Sequence, residues 1–281
     1  MMEVLFLLLL SLFSIHMIVP PLAAAAAHTD SIYTSCSRMR FNPGTVYESN
    51  VNSALTSLVN SANSVNFNKF KTSLPGSTEP DVVYSLYQCR GDLSVPDCGT
   101  CVAAAVSRLG SLCQDTSGGS LQLEGCLVRY DNVSFLGAAE DAVSLQKCGP
   151  TASSGDVVTG REAVLTYLTE GGQYFRVGGY GRVQGMAQCT QDVDPQKCQD
   201  CLRKAIDGLG STCGSASWGY VYLSKCYARF SERGFSTKSD EKGGEMERRL
   251  AITIGIIAGV AVLLILLSIL LRKLCQPKGW K

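Results

Sequence analysis

The chain has 281 residues, 46% of them apolar and 17% charged, and its 25 basic residues are offset by 24 acidic ones to a net charge of +1. That balance excludes the strongly basic surface of a nucleic-acid binder, so no nucleic-acid partner is expected. The two histidines, His16 and His28, both lie near the N-terminus, so a catalytic triad, a His general base and a His-rich metal centre are excluded, and no enzyme activity, metal or cofactor is expected.

Residues 4–19 form a predominantly apolar run, followed by Pro20, Pro21 and an alanine tract at 23–27. A hydrophobic segment ending in small residues is the pattern of a cleaved secretory leader, assigned here to residues 1–27. Glu3 stands where basic residues usually precede such a run. Further on, Val51, Leu55, Leu58, Val59, Ala62 and Val65 fall on one helical face. Residues 82–87 alternate like a strand. After Cys101, Val102, Val106 and Leu109 return to helical spacing. If that helix is continuous, Cys101 and Cys113 stand roughly 18 Å apart, beyond the ~7 Å reach of a disulfide. Residues 121–127 read as another strand. Asn132-Val133-Ser134 is the single N-glycosylation sequon, and Asn132 is the candidate glycosylation site.

The cysteines then reveal a duplication. Cys89, Cys98, Cys101, Cys113 and Cys126 recur as Cys189, Cys198, Cys201, Cys213 and Cys226, each displaced by 100 positions. Gln88 and Gln188, Asp92 and Asp192, Arg129 and Arg229, and Phe135 and Phe235 keep the same register. Such coincidence marks two tandem copies of one domain. Cys36 and Cys148 precede the two blocks, giving six cysteines per copy, and even counts in an exported chain argue for three disulfides in each. Cys98-Gly99-Thr100-Cys101 and Cys198-Gln199-Asp200-Cys201 also have the spacing of redox and zinc sites. Full pairing and the lack of histidine after His28 favour structural bridges over both.

In the second copy the first two cysteines lie closer together, so the helix expected around residues 163–168 is weaker than its counterpart. Leu202, Ile206 and Leu209 repeat the other helical stripe, and residues 174–177 and 220–223 alternate like strands. Trp218, Tyr220 and Tyr222 form an aromatic cluster able to stack on a sugar ring, or, more plainly, strand aromatics of which alternate members face the core. Each copy, at residues 28–136 and 142–236, reads as an α+β module: an antiparallel sheet with helices against it.

Residues 237–249 are polar, include Gly243-Gly244 and read as a stalk. Residues 250–271 carry no charge, and as a helix they would extend roughly 33 Å, enough for the ~30 Å hydrocarbon core. Leader and span together make a single-pass type I membrane protein with residues 272–281 as its cytoplasmic tail. Ala251, Gly255 and Gly259 form a small-residue series suited to helix dimerisation, hence a homo-oligomer or a hetero-oligomer with relatives. Cys275, the odd cysteine, is a candidate for palmitoylation.

The cysteine spacing, with the Cys126-Leu127-Val128-Arg129-Tyr130 ending, resembles the ginkbilobin-homologous or stress-antifungal module of plants. Leader, two such modules, one span and a short tail resemble the plasmodesmata-located protein family. The resemblance implies a five-stranded antiparallel sheet with two helices in each module. It also implies the bridges Cys36–Cys113, Cys89–Cys98 and Cys101–Cys126, repeated as Cys148–Cys213, Cys189–Cys198 and Cys201–Cys226. The founding module binds mannose through three residues whose positions fall here on Ser37, Ser120 and Asp131, and in the second copy on Gly149, Tyr220 and Ser231. Only Asp131 keeps the chemical character, which argues against mannose at that site and leaves another wall glycan or a protein as ligand.

The leading expectation is therefore a non-enzymatic, receptor-like protein of the plasma membrane at plasmodesmata, its ectodomain facing the wall. The resemblance implies regulation of cell-to-cell movement through callose deposition, and docking of viral movement proteins. A membrane-tethered lectin or antifungal protein is the second reading, and a C-x-x-C redox enzyme the third.

Overall fold

The computed structural model describes residues 28–170, 173–235 and 253–254. Both cysteine-rich modules belong to one unit ending at Phe235, and the second unit, Ser236–Lys281, is described only at Thr253 and Ile254, which are helical. Among the described residues no helix is long and apolar enough to cross a membrane. The expected leader, stalk and tail lie outside the described residues, as does the span apart from those two positions.

Module one runs β1 (Ser31–Cys36), α1 (Val46–Ala62), β2 (Phe67–Thr72), β3 (Val83–Cys89), α2 (Val95–Leu112), β4 (Gly118–Leu123) and β5 (Cys126–Asp131). Module two repeats it as β6 (Val143–Cys148), α3 (Gly155–Thr169), β7 (Phe175–Tyr180), β8 (Val183–Cys189), α4 (Pro195–Thr212), β9 (Trp218–Leu223) and β10 (Cys226–Ser231). Each module has a five-stranded sheet, ordered β1-β4-β5-β3-β2 and β6-β9-β10-β8-β7. The α+β fold with two helices per sheet is as the sequence led us to expect.

Local chemistry sets the helix starts. Thr45 caps α1 by accepting from the Glu48 amide, and Glu48 Oε2 accepts from Gly44 N at 2.6 Å. Ser94 and Asp194 cap α2 and α4 in the same way, each with a proline in the first turn whose missing N–H costs nothing there. The buried stripe of α1 is Tyr47, Val51, Ala54, Leu58 and Ala62. It is rotated from the expected face: Leu55 and Val59 sit at its margin, and Val65 lies beyond the helix and is exposed. The second-copy helix expected to be weak is a full α3 of 15 residues, with Val157, Val164, Leu165 and Leu168 buried.

One sequence-derived strand divides in two. Residues 121–127 span the end of β4, a turn at Glu124 and Gly125, and the start of β5.

Along the inner strands of each sheet alternate residues face the helices. Val83, Tyr87, Leu121 and Val128 pack beneath Leu58 of α1 and Val102, Ala105 and Leu109 of α2. Burial of each such side chain contributes about 1.5–3 kcal/mol. Disulfides pin α2 at both ends: Cys98 to Cys89 of β3, Cys101 to Cys126 of β5, and Cys113 to Cys36 of β1. Module two carries Cys148–Cys213, Cys189–Cys198 and Cys201–Cys226 at the matching places.

Candidate functional site

The helix-free faces of the two sheets meet along a seam. Gln188 Nε2 of β8 donates to Cys89 O at 2.9 Å, and Gln88 Oε1 of β3 accepts from Gln191 N at 3.0 Å. Arg229 Nη1 of β10 pairs with Glu124 Oε2 at 2.6 Å, and the Tyr33 and Tyr222 rings meet edge to face at 6.0 Å. Residues after β5 fold under the same face. Phe135 is buried beside Leu86 and Leu127, the Arg129 guanidinium lies 3.9 Å above its ring, and Arg129 pairs with Glu140 at 2.5 Å. Arg229 lies 4.4 Å from Phe235 in the corresponding arrangement of module two. The register-matched glutamines and arginines of the sequence thus belong to this seam.

Beside it, β1, β4 and β5 enclose a cavity of about 270 Å³. Ser37, Ser120 and Asp131, far apart in sequence, all line it, together with Tyr33, Ser35, Arg129 and Tyr130. Strand register brings them together: Ser120 stands between Ser35 of β1 and Arg129 of β5, and Gly118 stands opposite Asp131. A Cβ on Gly118 would come within 2.9 Å of the Asp131 carboxylate, so the close approach of that side chain requires glycine. Ser37 Oγ lies 3.0 Å from Ser117 Oγ, and Asp131 Oδ1 accepts from Val133 N at 3.1 Å. Burial pushes the Tyr33 phenol above its ordinary pKa, against hydrogen bonds to Ser144 and Ser120. Burial likewise raises that of Tyr130, which bonds Thr116. Both phenols therefore stay protonated donors. Hydroxyls able to donate and accept, beside one carboxylate, suit a small polyhydroxylated ligand.

The matching place in module two is filled. Trp218 and Tyr220 stand where module one has Gly118 and Ser120, and Trp218 lies so close over Gly149 that a Cβ there would strike the indole. Trp218 stacks on Tyr220 with centroids 5.7 Å apart, and Lys147 Nζ is 6.0 Å from the indole ring. Trp218, Tyr220 and Tyr222 all point to the helix-free face, whereas Val221 and Leu223 face the helices. None of the three joins the helix-side core, which corrects that part of the sequence reading; Tyr222 is buried by the seam instead. Trp218 and Tyr220 remain half-buried, as an aromatic shelf rather than a cleft.

Asn132 directly follows the cleft residue Asp131 and donates its backbone N–H to Ser117 O at 3.2 Å, with the exposed Val133 next to it. Cys275, Ala251, Gly255 and Gly259 lie outside the described residues. Sequence reasoning did not find the seam's most enclosed ion pair, Lys225 and Asp192, 2.5 Å apart. Asp192 had a signal in its register match with Asp92, but Lys225 has none, because its counterpart is Gly125.

Comparison with known proteins places these features. The family model described as salt stress response/antifungal matches residues 35–133 and 147–233. Plasmodesmata-located protein 7 of Arabidopsis thaliana is 48% identical over 268 residues, covering 92% of this chain and 88% of its own length. Plasmodesmata-located protein 6 of the same plant is also 48% identical, over 271 residues, covering 92% of this chain and 93% of its own. The crystal structure of the tandem DUF26 ectodomain of the A. thaliana cysteine-rich receptor-like protein PDLP5 superposes with a TM-score of 0.68 at 46% identity, covering 72% of this chain and 98% of that one.

Proposed function

The chain belongs to the plasmodesmata-located protein family, and from that premise we propose that it is a non-enzymatic, receptor-like protein of the plasma membrane at plasmodesmata. In this reading the two modules form the wall-facing head of a type I protein, anchored by residues 250–271. The head holds a small wall-derived ligand in the module-one cleft, and the span and the tail at 272–281 recruit partners that set callose deposition and so the traffic between cells. Docking of viral movement proteins belongs to the same recruiting role. The observation that carries the reading is the asymmetry between the modules. One site is a hydroxyl-lined cleft of about 270 Å³, while its counterpart is closed by Trp218 and Tyr220. A spacer would need neither.

Imaging of the tagged full-length protein tests it: paired puncta across cell–cell walls, coincident with callose, are expected. A uniform membrane outline would instead support the second reading, a tethered lectin or antifungal protein, which the serine and carboxylate lining of the cleft favours. A companion fusion separates the parts. The leader is joined to a secreted fluorescent protein and to residues 248–281, and puncta from this fusion are expected if the span and tail place the protein. A uniform outline from it, beside puncta from the full chain, would assign targeting to the modules.

A further inference from the structure

The two sheets end in edge strands of unlike chemistry. β2 borders module one and β7 borders module two, at equivalent places in the strand order. Backbone pairing fixes which residues turn their peptide groups outward. Cys89 N donates to Asn66 O, so the ladder engages alternate residues from 66 onward and leaves Phe67, Lys69 and Lys71 open. By the same count Cys189 N donates to Tyr174 O, leaving Phe175, Val177 and Gly179 open.

On β2 those positions are blocked against pairing. Lys69 and Lys71 are exposed and bring charge to the edge, and the outward N–H of Lys69 is taken by Asn68 Oδ1 at 2.8 Å. Charged residues on an edge are a standard device against strand addition. On β7 none of this remains. Val177 and Gly179 replace the lysines, and Arg176, at the Asn68 position, turns inward to Leu168 O at 2.6 Å and to Gln199. Among the described residues, no side chain bonds the N–H of Val177 or Gly179. Apolar surface flanks the strand: Val177 is 47% exposed, Tyr180 58% and Tyr167 55%.

We infer that β7 is an assembly edge, which adds antiparallel to β7 of a second copy of this chain. Self-complementarity selects that occupant, since an uncharged edge flanked by apolar surface matches its own copy. Two β2 edges brought together would oppose Lys69 and Lys71 to their like, whereas two β7 edges meet without repulsion. Centred on Val177, the pairing sets Val177 against Val177 of the second copy and Phe175 against Gly179, so every outward peptide group finds a partner. The contact is isologous and closes at two copies. It is independent of the ligand cleft and of the small-residue series at Ala251, Gly255 and Gly259.

The test uses the full-length protein in detergent micelles, with the photocrosslinking residue p-benzoylphenylalanine at position 177 and, separately, at position 69. Position 177 is expected to give a covalent dimer whose cross-linked peptides join β7 to β7, and position 69 little or none. V177K with G179K, which copies the β2 edge, is expected to weaken dimerisation about tenfold or more. Should that variant misfold, the crosslink from position 177 in the otherwise unaltered chain still decides. A monomer, equal crosslinking from both positions, or crosslinks from 177 to any other segment would overturn the inference. So would a dimer held through the span alone, which would crosslink at neither strand.

Discussion

Lys225 Nζ lies 2.5 Å from Asp192 Oδ2, and both side chains are almost wholly buried in the seam between the modules. The ammonium also donates to Phe135 O at 2.8 Å, and the same carboxylate oxygen accepts from Gly137 N at 2.9 Å. One residue pair thereby fastens the connecting segment to module two. Its counterpart in module one is built differently. Asp92 pairs with Arg90 at 2.6 Å, while the positions matching Arg90 and Lys225 in the other copy are Thr190 and Gly125. The aspartate kept its register and its cation changed place.

Removing one partner of the enclosed pair should be costly. Asp192→Ala leaves a buried ammonium unpaired and is expected to lower stability by about 3–5 kcal/mol, whereas Lys225→Met with Asp192→Leu, which strands only the Gly137 N–H and the Phe135 carbonyl, should cost less. Asp92→Ala, at a partly exposed bridge, should cost about 1 kcal/mol or less. Denaturant unfolding of the purified protein checks the order. Equal losses at Asp92 and Asp192 would refute it.

Acid should act through the same carboxylate. Burial alone would raise the pKa of Asp192, but hydrogen bonds from Lys225 and Thr190 and the charge of Lys225 outweigh it and hold the group below its ordinary value. A depressed folded value means stability that is present above the unfolded pKa of about 3.9 and lost as pH falls through the folded one. Burial lowers the pKa of Lys225, against its hydrogen bond to Asp192. Thermal unfolding should therefore fall steeply only below about pH 4. Asp192→Asn should shallow that fall, and an unchanged acid limb would exclude the role.

The cleft can be closed with the protein's own solution. Ser120→Tyr brings one of module two's closing aromatics into module one and should leave stability within about 1 kcal/mol, since Ser120 is half-buried on the cavity wall. If the proposed function holds, tagged protein carrying Ser120→Tyr should still form puncta but give less callose, scored by aniline-blue staining. Undiminished callose would place the ligand elsewhere.

Loss of one bridge should be visible before any functional assay. Cys101→Ser strands the buried Cys126 as a free thiol and removes a constraint worth about 2–5 kcal/mol from a small domain. Secretion should drop sharply, and the escaping protein should carry one alkylatable thiol. Normal yield with no thiol would mean that Cys126 has another partner.

The duplication and the α+β class were legible because both rest on periodicity. The register of cysteines and the helical stripe at Val102 and Leu109 need no partner to be seen. Less was legible where a residue's meaning depends on a neighbour. Leu121, Leu123 and Leu127 keep a period of two across the turn at Glu124 and Gly125, so one strand was expected where β4 and β5 stand. The edge strands β1 and β2 are too polar and too short of alternation to announce themselves. Trp218, Tyr220 and Tyr222 share a face by spacing alone, but nothing in the spacing says that this face meets Tyr33 of the other module. Ser37, Ser120 and Asp131 were named from resemblance, and it took the strand register to bring them to one wall.

Because the seam uses the helix-free face of each sheet, neither half is a finished object. A chain truncated after residue 136 would lack the surface opposite Gln88 and Glu124, and module two alone would turn Tyr222, Met186 and Arg229 out to solvent. Phe135 binds the halves more tightly still, as a residue of the first copy whose carbonyl is held by a lysine of the second. Alleles that delete a single repeat should therefore read as quality-control rejects retained in the secretory pathway. Their phenotypes would report absent protein rather than the role of the missing repeat.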